Sequence, residues 1–144
     1  MVKHAIALVL AMLSVQASGN TGLLGIDRSS ILAIPDAKTF EIPCVEGAQC
    51  YFGKITVQAN DISVPSVRRS QCERESQLAT KAKDRFDELL SSASEITVVS
   101  ADGRPFNYYG RMGAIIYADG ENIAEILIRE QHARPFKKTP YDWC

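Results

Sequence analysis

The sequence is poor in histidine, has no excess of cationic residues and lacks a long apolar run. Only two histidines occur, His4 and His132, and His4 lies in a segment that we expect to be removed, which excludes a His/His metal pair. The 16 basic and 17 acidic residues give a net charge of −1, so no overall cationic field attracts nucleic acid. Neither a Gly-x-Ser-x-Gly elbow nor a phosphate-binding glycine-rich loop occurs, which excludes the enzyme classes that depend on them.

The longest apolar run is confined to the N-terminus, where Ala5–Leu13 follows Lys3 and precedes the small residues of Val15-Gln16-Ala17. This pattern is typical of a signal peptide covering residues 1–17. The run is about half of the roughly 20 apolar residues that a membrane-spanning helix needs, so we expect no membrane anchor and a secreted or periplasmic protein. The remainder suffices for one domain, with a flexible lead-in at residues 18–29 and a folded domain at residues 30–144.

Four cysteines occur, all in the part expected to be exported: Cys44, Cys50, Cys72 and Cys144. An even count in an oxidising compartment predicts two disulfides, for which three pairings are possible. Cys44 and Cys50 flank a turn-like loop that would place them on adjacent strands, which leaves Cys72 and Cys144 to tie the chain end to the body. Zinc is the competing interpretation, but the C-x5-C spacing with one remaining histidine matches no common zinc pattern.

Apolar periodicity and turn residues predict the order β-β-β-α-β-β-α. The first helix is expected to begin at Ser70, with Glu73 completing a capping box, and to end near Ser91. The second is capped by Asn122 and stopped by Pro135. The predicted strands are Ser30–Ile34, Thr39–Ile42, Tyr51–Ala59, Ile96–Val99 and Met112–Ala118. This order matches a mainly β fold with two helices, the five-stranded Greek-key barrel of the OB type.

Four segments resemble the thermonuclease (micrococcal-nuclease-like, or SNase-like) family. IPDAKTFEI at residues 34–42 is similar to the family's V-I-D-G-D-T-F, and VQANDISVPS at residues 57–66 is similar to its V-R-L-x-G-I-D-A-P-E. Tyr109-Gly110-Arg111 stands where the family has Y-G-R, and ADGENIAEILIREQHARPF resembles its V-D-G-x-x-V-N-x-x-L-V-x-x-G-x-A-R-x-Y. The resemblance covers residues 30–144 and implies a short secreted domain of the SNase-like OB fold, in a family that cleaves phosphodiesters with calcium.

The resemblance also implies roles for single residues. Asp36 and Thr39 keep the family residue, and Arg111 keeps the phosphate-binding arginine as a catalytic remnant. The other site positions depart from the family. Lys38 and Ser63 replace two metal-binding carboxylates, Gln58 replaces the first phosphate-binding arginine, and Ser66 replaces the glutamate that acts on water. A lysine does not coordinate calcium at neutral pH, and losing the water-orienting acid slows hydrolysis further.

These departures predict a pseudoenzyme without efficient calcium-dependent nuclease activity, which needs no cofactor and serves as a binding or structural module. Lys38 would act as a fixed positive charge beside Arg111, with Arg68, Arg69 and Tyr109 at the rim. The expected ligands are single-stranded nucleic acid, an acidic polysaccharide or a partner protein. Some exported members of the family are linked to exopolysaccharide production, which raises the polysaccharide option by analogy.

Two alternatives stay open from the sequence. One is a weak or metal-independent phosphodiesterase that uses Arg111, with calcium only if the carboxylates suffice. A shifted register would let Asp61 take a metal-binding role, and Glu73 or Glu75 would then reach the site from the helix start. The basic residues between Arg68 and Arg85 are interpreted as a solvated helix face rather than a polyanion groove, and His132 as a cap at a helix C-terminus.

Overall fold

The computed structural model describes residues 23–45, 50–101 and 110–144, so the predicted signal peptide and Tyr109 lie outside the described residues. It contains nine strands and two α-helices among these residues. The strands are β1 Leu23–Ile26, β2 Ala33–Asp36, β3 Thr39–Pro43, β4 Lys54–Ala59, β5 Ile62–Ser63, β6 Ile96–Ser100, β7 Arg111–Ala118, β8 Glu121–Asn122 and β9 Arg134–Pro135. The helices are α1 Glu73–Ser92 and α2 Ile123–Arg129.

The main sheet has the strand order β1-β6-β7-β4-β3-β2, with β8 added on β7. Its neighbours pair antiparallel except β4 and β7, which run parallel. Strands β5 and β9 form a separate two-stranded sheet. Within the described ranges β1 and β2 are the open edges of the main sheet, and the strands do not close into a barrel. The mixed architecture with two helices and a mostly antiparallel sheet is therefore present, whereas no closed barrel is found among the described strands and the predicted OB-type barrel is not confirmed.

One face of the sheet is apolar because side chains alternate along each strand. Ile55, Val57 and Ala59 of β4 are buried, as are Met112, Ala114, Ile116 and Ala118 of β7. Helix α1 covers this face with a stripe at helical spacing, formed by Ala82, Phe86 and Leu90. The opposite face of the same strands carries the polar positions, which leaves it available for a site.

The start of α1 differs from the prediction. The helix begins at Glu73 with Cys72 as its N-cap, and the Cys72 sulfur accepts the Glu75 N–H at 3.3 Å. The predicted capping box of Ser70 and Glu73 is therefore wrong, since Ser70 lies two residues before the cap. The Glu73 carboxylate instead accepts from the Gln77 side chain one turn later. A disulfide sulfur thus takes the capping role expected of a serine hydroxyl, and it satisfies the Glu75 amide two residues later than predicted.

The predicted lead-in also contains structure that the sequence did not indicate. Residues 23–26 form β1, which pairs with β6 in the register Leu24↔Val98 and Ile26↔Ile96. A short 3-10 turn follows, and the Asp27 side chain caps it by accepting a hydrogen bond from the Ser29 N–H. A lead-in was therefore the wrong interpretation of residues 23–29, because a four-residue edge strand containing Gly25 shows too little alternation to be recognised.

Both disulfides have the predicted pairing. Cys44–Cys50 joins the end of β3 to the segment before β4, with Cα atoms 6.0 Å apart, and Cys72–Cys144 ties the chain end to the start of α1, with Cα atoms 6.1 Å apart. Two disulfides are consistent with an exported protein. None of the described helices combines the length and apolar character that crossing a membrane requires.

Candidate functional site

The polar face of the sheet brings together several residues of the resemblance. Strand pairing places Asp36 opposite Thr39, Thr39 opposite Gln58, and Thr56 opposite Arg111. Directly paired residues point to the same side of a sheet, so these side chains share one surface. They line a hollow of about 530 Å³, here called the sheet-face hollow, together with Glu41, Asn60 and Gly113.

The floor of the sheet-face hollow contains a buried hydroxyl. Thr39 is only 6% exposed, and its Oγ1 has no hydrogen-bond partner within the described chain. Beside it, Glu41 pairs with Lys54 across β3 and β4 at 2.9 Å. Glu41 is an acid that the sequence interpretation did not place in the site, because its position in TFEI carries no signal other than strand alternation.

The turn between β2 and β3 directs Lys38 away from the sheet-face hollow. The Asp36 Oδ1 accepts the Lys38 N–H at 2.9 Å, which closes the turn as an Asx motif. Lys38 instead lines two further hollows, of which the first adjoins the sheet-face hollow. The bridging hollow, of about 380 Å³, shares Asp36 and Glu41 with the sheet-face hollow and adds Lys38, Ser66, Arg68 and Arg69.

The third hollow lies against the C-terminal segment and is here called the tail hollow. Its volume is about 430 Å³, and it shares Lys38, Ser66 and Arg69 with the bridging hollow. Ser63 lines it from β5, and the C-terminal segment contributes two more cations, Lys137 and Lys138. The predicted site residues within the described ranges thus line three adjoining hollows instead of one pocket.

Neither of two acids considered as replacement metal ligands, Glu75 and Asp61, is placed as a free carboxylate in the hollows. Glu75 is buried and accepts two backbone N–H groups, from Ser66 at 3.1 Å and from Gln71 at 2.7 Å. Asp61, which a shifted register would have made a metal ligand, lines none of the three hollows, and its Oδ1 is buried without a partner in the described chain. Glu75 therefore lines the tail hollow as a structural acceptor.

The donor set does not fit calcium. Calcium takes six to eight oxygen ligands and usually several carboxylates. In the described ranges no three His, Cys, Asp or Glu side chains are grouped closely enough to hold a metal ion. Where the family has carboxylates, this chain presents the ammonium of Lys38 and the hydroxyl groups of Ser63 and Ser66, which line the same hollow. Such a combination attracts anions instead.

Cations dominate the bridging and tail hollows. Within the described residues no carboxylate forms an ion pair with Lys38, Arg68 or Arg69, whereas Lys54 and Arg85 do have acidic partners. Unpaired cations near a polar surface raise the local potential for anions even when net charge is close to zero. The predicted rim residue Tyr109 lies outside the described residues.

Arg85, by contrast, has a structural role. Its guanidinium donates to both carboxylate oxygens of Glu130, at 2.7 and 2.8 Å, and so ties α1 to the end of α2. This hydrogen bonding raises the pKa of Arg85 and lowers the pKa of Glu130. The basic stretch that begins at Arg68 is therefore divided between site cations and a helix-to-helix bridge.

The C-terminal segment is the part of the site that the sequence interpretation missed. The Arg134 guanidinium lies over the rings of Tyr141 and Trp143, 5.1 and 4.4 Å from their centroids. Basic residues interleaved with aromatic ones in KKTPYDW were the available signal. Comparison with known proteins found no protein-family model and no curated protein that matches the chain, so the family resemblance rests on the motifs and their placement.

Proposed function

We propose that this chain is an exported thermonuclease-like domain that binds anionic chains along its three adjoining hollows and lacks calcium-dependent nuclease activity. The fold supports the proposal in one respect. The five strands expected for an OB-type domain correspond to β2, β3, β4, β6 and β7, which are consecutive in the sheet, and α1 follows the third of them. The OB fold is a partly open barrel, with which an open sheet is compatible.

The observation that carries the proposal is the position of Lys38. Its side chain lines the bridging and tail hollows with Ser66 and Arg69, in the place where the resemblance puts a metal-binding aspartate. An ammonium group there repels a divalent cation and attracts phosphate, sulfate or carboxylate groups. The hollows that follow one another along the surface suit an extended anionic chain better than a single ion.

A nuclease assay tests the inactive half of the proposal. The purified protein is incubated with single-stranded DNA and RNA, once with calcium and once with a chelator. We expect no difference in cleavage between the two, because the calcium ligands are missing. Calcium-dependent cleavage that exceeds the level of an Arg111→Ala variant would contradict the proposal.

Retention on immobilised polyanions tests the binding half. Single-stranded DNA and an acidic polysaccharide serve as parallel columns, and elution with salt reports electrostatic binding. We expect Lys38→Glu to abolish retention on the preferred column. Lys81→Glu is the matched control, since Lys81 is exposed on α1 and lines none of the three hollows. Equal loss in both variants, or no retention of the wild type at low salt, would leave a structural role.

A weak, metal-independent phosphodiesterase is the second candidate, favoured by the composition of the sheet-face hollow. Arg111, Glu41 and the buried hydroxyl of Thr39 line the same space, which combines a phosphate-binding cation with an acid. Cleavage that persists in chelator and disappears in both Arg111→Ala and Glu41→Gln would support this candidate. Cleavage that survives both substitutions indicates a contaminating nuclease.

A further inference from the structure

The C-terminal segment 136–144, here called the tail, is attached to the domain at both ends. At its start the Phe136 N–H donates to the Asp61 carbonyl at 3.0 Å. At its end Cys144 is bridged to Cys72 at the N-cap of α1. Between them the Tyr141 hydroxyl donates to the Pro135 carbonyl at 2.8 Å, which folds the tail back on β9. The tail is therefore held in place along one side of the tail hollow and forms one of its walls.

The two walls of the tail hollow both carry cations. Lys38 and Arg69 line it from the body of the domain, and Lys137 and Lys138 line it from the tail. Within the described residues none of these four side chains forms an ion pair with a carboxylate. Lys137 also lies over the Tyr141 ring, 4.6 Å from its centroid, which positions its ammonium group.

The acids of the tail hollow do little to offset these cations. Glu75 is buried, and each of its carboxylate oxygens accepts a backbone N–H. Asp142 accepts the Cys144 N–H through its Oδ1 at 2.9 Å, which holds the last turn of the tail. Four cationic side chains therefore face two acidic ones in this hollow, so the space between the walls keeps a net positive charge from its side chains.

We propose that the tail hollow binds a compact polyanion, a small molecule with two or more linked anionic groups that contact both walls. Linked anionic groups can contact the cations of both walls at once. A hollow of about 430 Å³ falls in the size range of small-ligand sites, roughly 300–1,000 Å³. The Arg69 fork binds an oxyanion bidentately, lysines bind it as point charges, and the hydroxyl groups of Ser63 and Ser66 donate hydrogen bonds.

This inference rests on the proposed function, because Lys38 belongs to both. It also makes a separate demand, since a compact polyanion requires the tail hollow with Lys137 and Lys138, whereas a longer chain can also contact the bridging and sheet-face hollows. Both the compact polyanion and the longer chain carry the same kind of anionic group. Tail variants therefore distinguish a local site from general attraction along the surface.

Isothermal titration calorimetry of the full exported chain with tripolyphosphate at about 0.15 M salt, where exposed charges are screened beyond about 8 Å, tests the site. We expect Lys137→Ala/Lys138→Ala to bind at least about 10-fold more weakly, because each lysine supplies a charge-assisted hydrogen bond. Arg74→Ala/Lys81→Ala is the matched control, with two exposed cations removed from α1 outside the three hollows, and less than about a twofold change is expected from screened charges. Unchanged affinity in the tail variant would overturn the proposal.

The disulfide gives a second, independent test. Cys72→Ser/Cys144→Ser releases the end of the tail, and we expect it to lose tripolyphosphate binding while circular dichroism shows that helix content is retained. Tripolyphosphate binding that persists in this variant would show that the tail wall is not needed and would overturn the proposal. Citrate in place of tripolyphosphate distinguishes linked carboxylates from linked phosphates, and tight binding of either supports a polyanion site.

The outcomes also separate this inference from the proposed function. If Lys38-dependent retention on polyanion columns is observed without any tripolyphosphate or citrate binding, the tail site is refuted and the proposed function stands. If neither binding is observed, both fail. A third outcome is that tripolyphosphate binding depends on the tail lysines while the columns do not retain the protein. The proposed binding of anionic chains is then refuted, and the compact polyanion site stands.

Discussion

At the scale of single residues, Glu75 connects the core to the candidate site. Its buried carboxylate accepts the Ser66 and Gln71 N–H groups and so holds both ends of the loop that carries Arg68 and Arg69. Sequence reasoning considered this residue as a metal ligand, and the structure makes it the support of two site cations. The two hydrogen bonds of Glu75 therefore fix a loop that has no regular secondary structure and that carries Arg68 and Arg69.

Glu75→Gln tests this supporting role. Glutamine keeps one oxygen acceptor but presents an NH₂ group to the second backbone N–H, which leaves a buried donor without a partner. We expect the free energy of unfolding to fall by about 1–3 kcal/mol, measured by urea denaturation. Glu73→Gln is the control, since Glu73 is exposed and surface substitutions usually change stability by about 0.5 kcal/mol or less. Equal stability of both variants would contradict the role.

Some site residues were predictable because their chemistry is local, and others were not. Lys38 is identifiable since the family resemblance puts a metal-binding position two residues after Asp36, and the structure places both residues at adjoining hollows. Glu41 was missed because an outward-facing acid on a strand resembles any solvated residue until β3 and β4 are paired. The roles of Lys137 and Lys138 depend on where the tail lies, which no short motif specifies.

At the scale of elements, the two helices are joined by one side-chain bridge. Arg85 on α1 donates two hydrogen bonds to Glu130 at the C-cap of α2. The Arg85 side chain is 28% exposed and the Glu130 side chain 33%, so solvent screens the pair only partly. A bidentate arginine–carboxylate pair between elements is a geometry in which surface pairs contribute measurably.

Glu130→Gln tests the bridge through its pH dependence. The Arg85 hydrogen bonds lower the pKa of Glu130 below its ordinary value of 4.5, so the stabilisation is present above that value and is lost as pH falls through the lowered folded pKa. The raised pKa of Arg85 means that its charge persists at all ordinary pH values. We expect the free energy of unfolding of the wild type to exceed that of the variant by about 0.5–1 kcal/mol at neutral pH. This difference should shrink below pH 4.5.

Glu88→Gln is the matched control for the helix bridge. Glu88 pairs with the same arginine at 3.1 Å, but its side chain is 66% exposed and lies on the same helix. Such an i,i+3 pair contributes only about 0.2–0.5 kcal/mol. The stability of both variants is measured by thermal unfolding from pH 3 to pH 7. If it depends on pH in the same way in both, the bridge adds nothing beyond an ordinary surface pair.

The elements themselves were predicted best where periodicity is long. Strands β3, β4, β6 and β7 and helix α1 follow from alternation or helical spacing over several residues. The start of α1 was misplaced because the capping atom is the Cys72 sulfur, and a disulfide-bonded cysteine is not a typical cap residue. Strand β1 was missed because it pairs residues 23–26 with residues 96–99, which are distant in sequence, and so leaves no local signature.

At the scale of the whole molecule, the candidate site depends on where folding places the charges and the chain end, and not on the overall composition. The net charge of −1 excludes a generally cationic protein, yet folding gathers around the tail hollow four cations that form no ion pair within the described residues. Whether the sheet closes into a barrel was likewise not predictable, because closure depends on pairing between edge strands that are distant in sequence. The tail adds a wall to the site because a disulfide joins residue 144 to the N-cap of α1 and because hydrogen bonds of Phe136 and Tyr141 hold its start.

Comparing the two disulfides tests how the whole molecule is held. Cys72 and Cys144 are separated by 72 residues, whereas Cys44 and Cys50 are separated by 6. In the chain-entropy model the long loop contributes about 4 kcal/mol and the short one about 2 kcal/mol. We expect the Cys72→Ala/Cys144→Ala variant to unfold at lower urea concentration than the Cys44→Ala/Cys50→Ala variant. The reverse order would mean that the tail is held by its other contacts, chiefly those of Tyr141 and Phe136.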